Sequence, residues 1–324
     1  MTEETEPTAT TSDETEADGG VVTGHEASAN ASQATTASEA TTTTSNATTT
    51  ESRRTPSTPS GQVLALAQLE YRLSLRNRWT VALTALFGLL SLLVVVFGGA
   101  GPGPVRVEAV VVSLASLSTY LVPLAALVYG YDAIVGAEDR GWLDMVFALP
   151  VSRSRVVLGT FAGRAATLAA ATSVGFGFGG VALFLRADAV PWQLYATVLV
   201  GAVCLGLAFL ALGVLVSTVA AEKTHALGIA LLVWVWLVFG YDLAALGMVA
   251  AFDLPNVALS GLVLANPLDI FRVFVLSGID SVGSGLAAVV TETNLSTPVL
   301  VAGALAWVVA PIGIATRLIR RRSL

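Results

Sequence analysis

The sequence predicts an all-α membrane protein with six transmembrane helices, cytoplasmic termini and a disordered acidic N-terminal tail. Three observations lead there. Apolar residues make up 54% of the chain and charged residues only 12%, too few to give a soluble domain of this size a wettable surface. The charge is unevenly placed: residues 1–60 hold ten acids against Arg53 and Arg54, and the rest holds thirteen acids against fifteen bases. Six stretches are also apolar for about 20 residues or more, the length a helix needs to cross a bilayer. Each is expected to be helical, because an open strand in lipid would leave backbone N–H and C=O groups without partners.

Residues 1–60 are a run of Thr, Ser, Glu and Ala with almost no large apolar side chain. They bury too little surface to offset chain entropy and are expected to be disordered. No apolar stretch follows a basic start, so the tail is not read as a signal peptide. Over 61–78, Val63, Leu64, Leu66, Leu69 and Tyr71 are set against Gln68, Glu70, Arg72, Arg76 and Arg78. That pattern predicts an amphipathic helix lying on membrane lipid with its arginines toward the headgroups.

The body, 79–324, carries spans near 79–98, 109–134, 159–185, 191–219, 225–251 and 298–318. With the N-terminus inside, the inner segments hold Arg72, Arg76, Arg78, Arg140, Arg153, Arg155, Arg164, Lys223, Arg317, Arg320, Arg321 and Arg322; the outer ones hold Arg106, Arg186 and Arg272. Bases collect on the cytoplasmic side, so both ends are placed inside a multi-pass protein of the plasma membrane. The tail's Asn30-Ala31-Ser32 and Asn46-Ala47-Thr48 would suit an external glycosylated stalk, but only if the bundle inverted against that count. Two connections are longer than turns. The inner one covers 135–158. The outer one, 252–297, contains Val257 to Ala265 and Ile270 to Leu276, each too short to span and bounded by Pro255, Pro267 or Gly278, as expected of re-entrant half-helices.

The chemistry that is missing narrows the function. A P-loop needs Gly before its lysine, and the single lysine, Lys223, follows Glu222. There is no His-Glu-x-x-His zinc site and no Gly-x-Ser-x-Gly elbow, and His25 and His225 lie in the tail and in a short inner turn. No catalytic residue, no metal site and no directly bound cofactor is therefore expected, and nothing points to nucleic acid. Asp132 and Asp242 fall inside spans, where a carboxylate is costly and is either paired within the bundle or functional. An ATP-independent carrier built on Asp132 and Asp242 is one reading, although two carboxylates make a poor proton relay. A membrane scaffold whose acidic tail does the work is another.

The inner connection offers a third. Glu138 and Asp139 are placed to open a short helix over 138–149, where its dipole favours them, and Pro150 ends it. Trp142, Val146 and Leu149 share one face. Periodicity leaves open whether that face meets a cytoplasmic partner or lies on lipid.

The stretch from Tyr131-Asp132-Ala133-Ile134-Val135-Gly136 through Glu138-Asp139-Arg140-Gly141-Trp142-Leu143 to Pro150-Val151-Ser152-Arg153 resembles the coupling segment of type-2 ABC exporter permeases. That family reads Asp-x-Ile-x-Gly-Glu-Arg-Glu-x-Gly-Thr-Leu and then Pro-Val-Ser-Arg; here Ala137 replaces the first acid and Trp142 the Thr. In the outer connection, Ala265-Asn266-Pro267-Leu268-Asp269-Ile270-Phe271-Arg272 is similar to the Asn-Pro-x-Asp-x-Phe-Arg stretch of the NosY-type branch, the permeases of copper-processing ABC systems that mature nitrous oxide reductase. The likeness covers residues 61–324.

The resemblance implies a non-catalytic subunit: a homodimer of six-helix chains bound to a separate cytoplasmic ABC ATPase that carries the ATP and Mg. The coupling residues would be Glu138, Asp139, Arg140, Gly141, Trp142, Leu143, Val146, Pro150 and Arg153. An extracytoplasmic partner of repeated β-structure would sit over the external motif Asn266, Pro267, Asp269, Phe271 and Arg272. The bundle itself has few soft ligands for Cu(I), only Cys204, Met145 and Met248 on three segments, so sulfur-containing cargo or mechanical work on partners is expected in place of bare copper. An ABC permease of another export branch is the nearby alternative. Gly175-Phe176-Gly177-Phe178-Gly179 has the small-xxx-small spacing of close helix contacts, suited equally to a dimer interface or to packing within one chain.

Overall fold

The computed structural model describes residues 59–75, 78–98, 107–139, 141, 152–187, 189–276 and 295–321. The chain divides into two units, Met1–Arg53 and Arg54–Leu324. Every described helix belongs to the second, and the acidic tail lies outside the described residues.

Among the described residues the helices are α1 (Pro59–Leu75), α2 (Arg78–Gly98), α3 (Val107–Gly130), the short α4 (Val135–Asp139), α5 (Arg153–Phe184), α6 (Trp192–Val219), α7 (Lys223–Ala251), α8 (Asn256–Leu264), α9 (Pro267–Leu276) and α10 (Thr297–Arg321). Six of them, α2, α3, α5, α6, α7 and α10, are long and apolar enough to cross a membrane. They form two layers by burial. Within their most apolar windows α3, α5 and α6 are 50–61% buried, whereas α2, α7 and α10 are 22–28% buried, so the first three make the inside and the others leave a face for lipid. The largest core cluster joins Phe87 of α2, Leu114 and Leu127 of α3, Leu168 of α5, Phe209 of α6 and Leu268 of α9.

Glycine sets two of the tightest crossings. A Cβ on Gly213 of α6 would stand 3.0 Å from the Cα of Gly130, and one on Gly130 would stand 3.1 Å from the Cα of Gly213. Two backbones meet there with no room for a side chain. Gly175 and Gly179 face α2: a Cβ on Gly175 would lie 2.5 Å from Phe87 Cβ and one on Gly179 2.7 Å from Ser91 Cβ. Ser91 Oγ donates to Gly175 O at 2.9 Å. The small-residue run therefore packs α5 on α2 within one chain, and Gly177 between them touches nothing within 4 Å.

Two parts of the body add to the sequence expectation. First, α1 has a partner within the bundle. It docks along α5, where a Cβ on Gly159 would strike Leu66 Cβ at 2.5 Å and one on Gly163 would strike Glu70 Cβ at 2.5 Å. Leu64, Leu69 and Leu73 stay exposed on its other side. Glu70 of α1 also pairs with Arg164 of α5, so the contact combines close packing with an ion pair. Second, Glu138 and Asp139 are the last residues of a short helix, and the rest of the expected 138–149 helix, Gly141 apart, falls outside the described residues. Gly130 ends α3, a turn follows, and α4 runs Val135–Asp139. Gly141 then takes a φ of +67°, the left-handed region that interrupts a right-handed helix. At the other end of the connection α5 begins at Arg153, so 153–158 belong to that helix. Arg140, Trp142, Leu143, Val146, Leu149 and Pro150 lie outside the described residues.

In the 252–297 connection, α8 and α9 meet at 109°. At about 1.5 Å rise per residue each is near half of a ~30 Å hydrocarbon core, so neither crosses it alone. Residues 277–294 lie outside the described residues.

Candidate functional site

Polar side chains gather at two places, one at each end of the bundle. The first is built on Arg164, three turns into α5 and only 8% exposed. Its Nε donates to Glu70 Oε1 of α1 at 3.2 Å. Its Nη1 donates to Asp132 Oδ1, just past α3, at 2.9 Å and to the backbone carbonyl of Tyr129. The guanidinium also stands 5.3 Å from the centre of the Tyr129 ring. Lys223, the first residue of α7, reaches the other Asp132 oxygen at 3.7 Å. A guanidinium suits this place because its donors form a rigid fork, whereas an ammonium is a point charge.

Close by, Ser217 of α6 accepts hydrogen bonds on its Oγ from the Ile134 and Val135 N–H groups at 2.9 and 3.1 Å. Those are first-turn donors of α4 that have no partner inside their own helix. The start of α5 is tied to the last span by Arg320, whose Nη2 donates to Ser154 Oγ at 3.2 Å. Thus α1, α3, α4, α5, α6, α7 and α10 all make contact at the end of the bundle that carries the 140–151 connection. Of the predicted coupling residues, Glu138 is half-buried, Asp139 and Gly141 are exposed and Arg153 is half-buried at the head of α5.

The second cluster joins α7 to the bent pair. Arg272 of α9 places Nη1 2.8 Å from Asp242 Oδ2 and 3.0 Å from Asp269 Oδ1. One turn earlier α7 is distorted: Trp236–Gly240 is a π-helical turn, a form in which the usual i to i−4 register is lost. Asn266, fully buried at the corner between α8 and α9, donates its Nδ2 to Leu237 O in that turn at 3.1 Å and accepts on Oδ1 from Leu268 N–H at 3.1 Å. Tyr241 Oη donates to Leu262 O at 2.6 Å and Trp307 Nε1 to Leu264 O at 3.0 Å. Both acceptors are last-turn carbonyls of α8, which in a bilayer have no water to turn to. Phe271 is buried against Gly201, where a Cβ would meet its ring at 2.8 Å. Pro267 starts α9.

The external motif is therefore brought together as one fastening, and it captures Asp242, a residue predicted separately. The two intramembrane carboxylates are far apart. Asp132 touches the first residue of α7 and Asp242 lies 19 positions later, about 28 Å along the helix axis. Each is held by an arginine. Among the described residues no three His, Cys, Asp or Glu come together in a way that suits a metal ion. Cys204 and Phe274 border an apolar cleft of about 290 Å³ between α6, α9 and α10.

Sequence reasoning missed Glu70, Ser217 and Lys223 as partners, and counted Arg164 only as a flanking base. A signal was present for α1: Gly159-Thr160-Phe161-Ala162-Gly163 is a second small-xxx-small run. The Asn266–Leu237 bond had none, because a π-helical turn leaves no mark in composition.

Six long apolar helices fastened by largely buried arginine–carboxylate pairs define a polytopic membrane protein. Comparison with known proteins places it more closely. Residues 64–324 match the model of the ABC-2 family transporter protein. The chain is 38% identical over 274 residues to a protein described as "Probable ABC transporter permease protein NosY" from Pseudomonas aeruginosa, a match covering 80% of this chain and 98% of that one. It is 34% identical over 273 residues to a protein of the same description from Stutzerimonas stutzeri, covering 81% and 99%. The chain belongs to the ABC-2 transporter family, as a NosY-type permease and a multi-pass protein of the plasma membrane.

Proposed function

We propose that this permease is driven by a separate cytoplasmic ATPase seated on the 138–149 connection, and that it works as a homodimer in maturing a copper enzyme of the nitrous oxide reductase kind. The observation that carries the reading is the family match over 64–324 in a chain with no P-loop of its own. Energy has to enter from a partner, and ABC permeases are paired with an ATPase subunit. The bases cluster at the end of the bundle where that connection emerges, which supports a cytoplasmic placement. Glu138, Asp139, Gly141 and Arg153 flank the connection, and Trp142, Leu143, Val146 and Pro150 would form its contact surface.

At the opposite end, the fastening of Asn266, Asp269 and Arg272 holds α8 and α9 rigidly enough to serve as a platform for an extracytoplasmic partner. Bare copper through the bundle has little support, since Cys204 borders a cleft whose lining holds no other thiol, thioether or imidazole.

The test is co-purification of the full chain with the ATPase encoded beside it. Removing 138–149, or Trp142→Ala alone, is expected to abolish ATPase binding while the chain still inserts in the membrane. An ATPase that binds the deleted chain as well as the intact one would refute the seat.

A further inference from the structure

Asp132 and Arg164 lie on either side of the 140–151 connection in the sequence, and they are bonded at 2.9 Å. The connection is thus a loop of chain closed at its base by an ion pair. Its first strand reaches the pair through α4, whose Val135, Gly136 and Ala137 are buried and whose leading N–H groups are held by Ser217. Its second strand reaches the pair through the first three turns of α5. We propose that Arg164 is the positioning residue through which a push on this connection becomes a concerted movement of α1, α3, α5 and α7; the inference rests on the ATPase-driven reading above.

The reason is electrostatic. Arg164 is nearly sealed from solvent, with Glu70 and Asp132 as its carboxylate partners. Moving α1 or the end of α3 away from α5 alone would leave Arg164 short of a carboxylate partner where little water reaches it, which costs more than tilting the three together with the pairs intact. Lys223 extends the unit to α7 through the second Asp132 oxygen, and its ammonium stands 6.0 Å from the Tyr131 ring. Because α7 also carries Asp242, which Arg272 holds to the bent pair, a displacement at Arg164 has a contiguous route along α7, through its π-helical turn, to the opposite end. A purely stabilising ion pair would not need to sit where both strands of the loop converge.

The experiment uses the full chain with its ATPase in lipid nanodiscs, Cys204 replaced by Ala and labelled permease diluted with unlabelled. Spin-label pairs at Gln68 and Glu222 report the junction, and a pair at Leu185 and Asp253 reports the far end. All four positions are exposed. In the unmodified complex, trapping with ATP and vanadate should shift the far-end distance while the junction distance keeps its width. The triple variant Glu70→Gln, Asp132→Asn, Arg164→Gln removes every charge of the junction core together and so strands none. It should fold, still co-purify with the ATPase, show a broadened junction distance and lose the far-end shift.

Glu70→Gln alone leaves the Arg164–Asp132 pair in place and should broaden only the junction distance, which keeps the idea testable if the triple variant fails to insert. A far-end shift of unmodified size in the triple variant, or an unbroadened junction in Glu70→Gln, overturns the role of Arg164. If the unmodified chain binds no ATPase or shows no nucleotide-dependent shift, the driven-permease reading falls first, and this inference with it.

Discussion

Asn266 illustrates how one side chain ties two backbone groups on different helices. Its amide donates to Leu237 O and accepts from Leu268 N–H, with no exposure to solvent. Asn266→Ala should remove the bond to Leu237 O, leave Leu268 N–H without its side-chain acceptor and destabilise the protein by about 1–3 kcal/mol, the cost of an orphaned buried group. Asn266→Asp should be worse, because it keeps the acceptor for Leu268 N–H but sets a carboxylate oxygen against the Leu237 carbonyl. Thermal unfolding in detergent checks the order; an Asp variant more stable than the Ala variant would contradict it. Arg272→Met frees Asp242 and Asp269 of their shared partner and is expected to cost about 2–3 kcal/mol, the value of charge-assisted bonds. Adding Asp242→Asn should recover part of that loss, which the same unfolding measurement would register. Cys204→Ala, by contrast, should leave maturation of the target enzyme intact. The thiol borders an apolar cleft whose lining holds no other thiol, thioether or imidazole, so complete loss of that activity would mean the cysteine handles cargo after all.

Helices in this bundle are positioned by glycine where backbones meet and by ion pairs where charges must be buried. Gly213→Val would push a branched side chain into Gly130, whose nearest atoms are backbone and cannot swing away. Separation of α3 from α6 at about 1–3 kcal/mol is expected, in line with overpacking of other cores. Gly163→Val should instead lever α1 off α5 and lengthen the Arg164–Glu70 contact. Limited proteolysis would then cut between α1 and α2 faster than in the unmodified chain, with the six spans unaffected. Of these two contacts, the Gly159–Gly163 run could have been read in advance as a small-residue surface. The Gly130–Gly213 pair could not, since the two residues are distant in sequence and neither belongs to a spaced glycine repeat at that point.

The whole molecule combines a bundle matched to its family over 64–324 with an acidic tail that precedes the match. Deleting residues 1–55 is therefore expected to leave ATPase binding and maturation in place, and failure of both would make the tail the working part. Orientation has its own check. In a Cys204→Ala background, His225→Cys should be labelled only from the cytoplasm and Asp253→Cys only from outside; the reverse pattern would invert the bundle and remove the proposed seat for the ATPase. The number of spans, the helical class and the bend near Pro267 were legible from apolar length and from proline placement, because the bilayer imposes a length and forbids unpaired backbone groups. The family's motifs were legible as residues in order. Which charge meets which was not. Glu70, Asp132, Arg164 and Lys223 are dispersed over more than 150 positions, and Asp242 is 30 positions from Arg272. Hydropathy follows from the chain's own composition one segment at a time, whereas an ion pair or a glycine crossing exists only after helices remote in sequence have packed side by side.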